Sequence, residues 1–190
     1  MTDYNFGEQL HKDTKQYGIS GKDEFFGFQE GDNKLRILSP AAVVAQHFLG
    51  KDKKPAVCFG EEEGCPHHGE QAPKANIKWL VWVWDHHDNG IKLAKLPYTV
   101  MQAIAELQKS DEYKFSSLPM PYSINIKTKG AGTKEVEYNV IPARENTPVS
   151  DEIMEEYGTK KDPEEIVEAY KSKARGDTLG EDINAEEIPF

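Results

Sequence analysis

The sequence lacks the features that define membrane proteins and disulfide-rich secreted proteins. Only two cysteines, Cys58 and Cys65, occur among 190 residues. No apolar run approaches the roughly 20 residues that cross a bilayer. The first ten residues are acidic and polar where a secretory signal has a basic and then an apolar region. We therefore expect a cytoplasmic protein with one core, in which the cysteines bind metal rather than each other.

Motifs for catalysis are missing as well. The sequence contains no Gly-rich phosphate loop, no paired carboxylates at metal-cluster spacing and no nucleophile beside a base. His68-Gly69-Glu70 is similar to the His-x-Glu of zinc-dependent deaminases, but those enzymes need a downstream Pro-Cys-x-x-Cys, and no cysteine follows Cys65. We predict a protein without enzymatic activity.

Negative charge is in excess but unevenly distributed. The net charge is −10. Residues 34–144 hold 15 basic and 12 acidic residues, a balance of +3, whereas residues 145–190 hold 5 basic and 14 acidic residues, a balance of −9. A near-neutral to basic middle with an acidic end is compatible with binding a polyanion, which a uniformly acidic surface would oppose.

Alternating apolar and polar residues predict a mainly β domain. The predicted strands run from residue 33 to the Ser39-Pro40 break and over 43–48, 77–84, 91–96, 122–129 and 135–142. Asn89-Gly90 is a hairpin signal, and apolar residues at helical spacing predict a helix over 98–110. A helix that interrupts the strands before the last hairpin is typical of a small Greek-key barrel of the OB type.

The chain divides into four regions. Residues 1–30 are expected to form an arm packed on the core, and residues 31–145 the barrel, with an insertion at about 47–75 that a metal would order. Residues 146–175 carry two short helices, the first capped by Ser150 and the second opened by Pro163. Residues 176–190 are expected to form a disordered acidic tail.

Four residues of the insertion have the spacing of a zinc site. His47, Cys58, Cys65 and His68 are separated by ten, six and two residues. Two cysteines and two histidines match tetrahedral zinc, and four protein ligands leave no open position, so we predict one structural zinc ion. His67 is an alternative to His68, and two buried free cysteines with exposed histidines are the alternative to a metal. His86 and His87 are predicted to be turn residues.

Outward basic side chains on several strands predict a surface for single-stranded nucleic acid. Lys78, Leu80, Trp82 and Trp84 share one face of their strand and Trp79 lies on the other. We predict Trp82 as an exposed stacking platform and Trp79 as core; the alternative is that all three tryptophans are core. The predicted contacts are Lys34, Arg36, Lys78, Trp82, Lys127, Lys129, Lys134 and Arg144.

The chain ends in Glu186-Glu187-Ile188-Pro189-Phe190. An apolar ring and a free carboxylate at the tip, preceded by acidic side chains, are typical of a C-terminal docking peptide that fits a pocket with a basic rim. The segment closely resembles the tail through which bacterial single-stranded DNA-binding proteins recruit replication and repair enzymes. The alternative is an acidic tail that only confers solubility.

Several further segments carry a family resemblance. They are 30–38, the His/Cys/Cys/His insertion, 78–85, Pro119-Met120-Pro121-Tyr122, and Gly130-Ala131-Gly132-Thr133 with Tyr138 and Pro142. Over about residues 28–145 the chain resembles the zinc-containing single-stranded DNA-binding proteins of tailed bacteriophages. The usual ligand set of that family is one His and three Cys, from which His68 departs.

The resemblance implies an OB fold with a zinc subdomain. It also implies coating of single-stranded DNA without sequence specificity, in phage replication, recombination and repair in the host bacterial cytoplasm, with partner proteins recruited through the tail. The alternative function is a zinc-bearing interaction adaptor that docks host replication and repair machinery without binding DNA.

Overall fold

The computed structural model describes residues 25–50, 54–68, 74–144 and 146–176. These residues form one mixed sheet of eight strands and three helices, so the mainly β fold is confirmed. The strands are β1 (Phe25–Phe26), β2 (Gly31–Ile37), β3 (Ala42–Leu49), β4 (Lys54–Cys58), β5 (Asn76–Asp85), β6 (Gly90–Leu96), β7 (Ile124–Lys129) and β8 (Glu137–Pro142). The helices are α1 (Tyr98–Lys109), α2 (Asp151–Tyr157) and α3 (Pro163–Arg175).

Two predicted regions fall largely or wholly outside the described residues. The predicted N-terminal arm, residues 1–30, lies outside them up to residue 24. The predicted acidic tail, residues 176–190, lies outside them from residue 177. None of the helices in the described ranges has both the length and the apolar character that a membrane span requires.

β2 and β3 follow each other along one edge of β5. Residues 35–37 pair with the C-terminal part of β5, and residues 42–46 pair with its N-terminal part. Between these two ladders, the Trp82 carbonyl accepts from Leu38 N, and Trp82 N donates to Ser39 Oγ, at 2.9 and 2.8 Å. Pro40 has no N–H to donate. The predicted break at Ser39-Pro40 is therefore a local interruption of one long antiparallel pairing.

The strand order is β1-β6-β5-β2-β7-β8, with β3 added on β5 and β4 on β3. β1 runs parallel to β6, and the other pairs are antiparallel. β1 and β8 do not pair with each other among the described residues, so this sheet is not closed. The closed OB-type barrel stays a prediction.

β5 is apolar on both faces because both faces are covered. Val81 and Val83 belong to a core that includes the buried residues of α1. Leu80 and Trp82, which point the other way, belong to a second core that includes buried residues of α3. We call the first side of the sheet the inner face and the second the outer face.

The C-terminal helices form as predicted. Ser150 Oγ accepts a hydrogen bond from Ile153 N at the start of α2, and Pro163 occupies the first turn of α3 after the capping residue Asp162. Both helices contribute apolar side chains to the second core. They therefore cover the outer face of β3, β5 and β6.

The insertion contains a strand, β4, where the sequence predicts only a metal-ordered loop. Residues 54–58 pair with residues 45–49 of β3. The local signal for a strand is weak because Pro55 interrupts the segment, and proline is tolerated in edge strands. The pairing matters for the site, since it places Cys58 directly opposite Ala45.

Candidate metal centre and nucleic-acid surface

The four predicted ligand residues come together. The ligand atoms of His47, Cys58, Cys65 and His68 all lie within 4.8 Å of one another. Cys58 Sγ and His68 Nε2 are 3.1 Å apart. The other three residues are buried, and His68 is the most exposed of the four. This group could hold a metal ion.

Strand pairing and one tight turn build the cluster. His47 and Ala45 share a face of β3, and Cys58 stands opposite Ala45, so His47 and Cys58 point to the same side. Cys65 N donates to the Gly60 carbonyl at 3.0 Å, which folds Cys65 back toward Cys58. Gly60 and Gly64 have φ values of +100° and +78°, which favour glycine. The turn therefore favours glycine at position 64.

The donor set fits a zinc ion. Bond lengths of about 2.3 Å to sulfur and 2.0–2.1 Å to nitrogen place the ligand atoms of tetrahedral zinc about 3.3–3.8 Å apart. The observed span of up to 4.8 Å is wider than this, so the ligand side chains would have to move closer together around an ion. Two thiols and two imidazoles are also a poor set for magnesium or calcium, which take oxygen ligands.

Burial raises the pKa of the Cys58 thiol, and the Gly60 backbone N–H acts in the opposite direction. Thiolate is the form that binds metal. A divalent ion among the four residues would stabilise the thiolate, so metal binding at this site would release protons.

The remaining histidines take the predicted places. His67 is not a member of the four-residue group, and its ring centroid lies 5.8 Å from that of His47, so His68 rather than His67 completes the cluster. His86 and His87 lie in the turn between β5 and β6. His86 Nε2 is 2.8 Å from Ser123 Oγ.

Most of the predicted basic contacts are exposed. Lys34 on β2 and Lys127 and Lys129 on β7 project from the outer face, which α2 and α3 leave uncovered here. We call these three residues the lysine face. Acidic side chains stand among them, since Asp32 is opposite Lys127 and Glu137 is opposite Lys129. The other exposed members of the predicted set are Lys134 and Arg144.

Arg36 lies on the outer face, but the prediction that it is an exposed DNA contact is wrong. Its side chain is 5% exposed. The guanidinium donates to the Thr147 carbonyl, to Thr147 Oγ1 and to Ser123 Oγ, the last at 3.2 Å. Burial lowers the pKa of Arg36. Arg36 therefore attaches the segment between β8 and α2 to the sheet, and the segment hides it.

Trp82 was predicted to be an exposed platform, and this is also wrong. Its side chain is 5% exposed, and Nε1 donates to the Lys161 carbonyl at 2.8 Å. Lys160 Nζ lies 5.5 Å from the ring centroid. The connection between α2 and α3 covers the ring. Lys78, on the same face of β5, is half-buried.

The exposed aromatic surface lies on the inner face instead. Trp79 packs against the first core but is only half-buried, and its ring centroid is 6.2 Å from that of Tyr98, with the planes inclined by 44°. Tyr98 is 63% exposed. Sequence reasoning missed Tyr98; the available signal was its place at the start of α1, off the apolar stripe of that helix.

Comparison with protein-family models, curated proteins and solved structures finds no match for this chain. The chemistry of the described residues is therefore the basis for a functional proposal.

Proposed function

We propose that this protein binds single-stranded DNA without sequence specificity, with an OB-type fold and one structural zinc ion. The observation that carries the proposal is the lysine face, in which Lys34, Lys127 and Lys129 are exposed on adjacent paired strands. Lysines along neighbouring strands track a phosphate backbone, and such binding is tolerant of sequence.

The strand connectivity supports the OB-type arrangement. β2 pairs with both β5 and β7, and α1 lies in sequence between β6 and β7. A helix before the last hairpin is the feature from which the sequence predicts this fold. In phage replication, recombination and repair, which the family resemblance implies, the protein would coat exposed single strands.

Zinc would serve structure rather than catalysis. Four protein side chains fill a tetrahedral coordination shell, leaving no position for a reacting water. The ion would hold the turn at Cys65 against the β3–β4 pair. It would also link β4 to β3 in addition to the strand pairing between them.

The tail is proposed to recruit replication or repair proteins. Glu186 and Glu187 would steer the peptide toward a basic rim, and Ile188, Pro189 and Phe190 would fill an apolar pocket on the partner.

Oligonucleotide binding at a series of salt concentrations tests the function. We expect a labelled single strand to bind more tightly than a duplex of the same sequence, with log affinity falling linearly with log salt. Replacing the three residues of the lysine face by Gln should lower the magnitude of the salt slope by about 2, since each phosphate contact with single strands contributes about 0.7.

A matched control removes the same charge elsewhere. Lys109, Lys114 and Lys173 are exposed and lie off the lysine face. Their triple Gln variant should keep the wild-type slope. If neither single strand nor duplex binds at any salt concentration, DNA binding is refuted and the zinc-bearing adaptor is the better function.

A further inference from the structure

Exposed apolar side chains cluster at one place on the molecule. Among the described residues, six large hydrophobic side chains are exposed. Three of them surround Trp79: Val43 is directly opposite it on β3, Ile77 precedes it by two residues on the same face, and Tyr98 contacts its ring. Val43 is 49% exposed and Ile77 47%, although both lie in paired strands. Adjacent exposed apolar side chains of this kind make the sheet face a candidate binding surface.

A cavity continues this patch along α1. It has a volume of about 280 Å³, close to the lower end of small-molecule pockets. Val81 and Met101 line it. Val81 follows Trp79 by two residues on β5, and Met101 follows Tyr98 by about one turn of α1. Leu118, a fourth exposed hydrophobic residue, lines its far side. We call the patch and the cavity together the α1 groove.

The chemistry of the α1 groove is apolar and neutral. Gln108, Ser116 and Ser117 supply amide and hydroxyl groups at the cavity, and no residue lining the cavity is charged. A phosphate group or an acidic peptide would therefore gain no ion pair there. The ligand that fits is planar, uncharged and able to stack and to form hydrogen bonds at its edge.

We infer that the α1 groove holds bases of a bound single strand, with Tyr98 and Trp79 as the stacking platform. The inference rests on the proposed function. Trp82 and Trp84 lie on the other face of β5, so Trp79 is the tryptophan that faces the groove. Aromatic rings stack on any base, which is consistent with binding that ignores sequence. The phosphates of the stacked nucleotides would remain in solvent.

Tyr98→Ala, compared with Tyr98→Phe, tests the platform. The exposed position of Tyr98 allows either change without loss of the fold. Tyr98→Ala should weaken binding of a labelled single strand about 5- to 150-fold, since stacking contributes about 1–3 kcal/mol per base. Tyr98→Phe keeps the ring and should bind like wild type. The salt slope should not change in either variant, because no cation is removed.

A second readout does not depend on affinity. A base stacked on Trp79 should quench its fluorescence, so a single strand should quench the fluorescence of the wild type more than that of Trp79→Phe.

Three outcomes overturn the inference. One is wild-type affinity in Tyr98→Ala; another is an equal loss in Tyr98→Phe. The third is unchanged Trp79 fluorescence when a single strand binds the wild-type protein. The proposed function survives all three, whereas failure of the wild-type protein to bind any strand refutes both proposals.

Discussion

The metal centre gives the sharpest prediction, because two adjacent histidines serve as test and control. His68 belongs to the four-residue group, with Nε2 3.1 Å from Cys58 Sγ, whereas His67 does not belong to it. His68→Ala should therefore impair metal binding, and His67→Ala should leave it close to wild type. Both residues are on the same turn, so the two variants disturb the chain to a similar degree.

The size of the effect can be estimated from the ligand number. Structural zinc binds zinc-finger peptides with about 10–16 kcal/mol, so equal sharing among four ligands assigns on the order of 2.5–4 kcal/mol to each. Loss of His68 should then weaken zinc binding by roughly two to three orders of magnitude. Cys58→Ser and Cys65→Ser should do at least this, because both thiols are buried and sulfur is a preferred ligand of zinc.

Competition with a chelator of known zinc affinity measures these constants, and metal analysis of protein purified without chelator measures occupancy. We expect one equivalent of zinc per wild-type chain. Metal removal should also lower the thermal stability of the insertion, since the turn at Cys65 loses the ion that holds it. Well under one equivalent in wild type would refute the site, and equal losses in the two histidine variants would refute the assignment of His68.

Two further predictions concern Arg36 and the tail. Arg36→Leu should lower the free energy of unfolding by about 2–4 kcal/mol, because hydrogen bonds to charged groups contribute about 1.5–3 kcal/mol each and are not fully additive. Arg36→Lys should retain only part of this stability, since the Lys ammonium lacks the planar, forked donors of the guanidinium. If Arg36→Leu keeps the wild-type free energy of unfolding in chemical denaturation but binds oligonucleotide more weakly, Arg36 is a DNA contact instead. Deleting Phe190 should abolish capture by a bacterial receptor of such tails while leaving DNA affinity nearly unchanged, whereas deleting residues 177–190 should tighten DNA binding at low salt. Equal receptor binding by tail peptides with and without Phe190 would refute docking.

Local sequence signals were sufficient for most of the elements. Period-2 alternation located β2, β3, β5, β6, β7 and β8, and capping residues located α2 and α3. The metal ligands could be chosen because cysteines and histidines are few and their spacing is restrictive. β4 was missed because its ladder depends on β3, which no pattern within residues 54–58 reveals.

The errors share a physical cause. Alternation tells which side chains share a face of a strand, but not whether a distant segment covers that face. Arg36 and Trp82 were correctly assigned to the outer face, and both are buried there by residues more than 70 positions later in the chain, at Thr147 and Lys161. A charged guanidinium was expected in water, yet a carbonyl and two hydroxyls accept hydrogen bonds from its two terminal nitrogens when it is buried, while its Nε has no partner among the described residues.

The C-terminal helices thereby decide where a single strand can bind. They cover the outer face of β5, so a single-stranded DNA that stacked on Trp82 would have to displace α3. The surfaces left are the lysine face and the α1 groove, which should contribute salt-dependent and salt-independent free energy respectively. If one strand engages both, Tyr98→Ala combined with the triple Gln variant should lose the sum of the two separate losses in free energy. Little loss in either variant alone, followed by a combined loss much larger than the sum, would show that the two surfaces bind separate DNA strands.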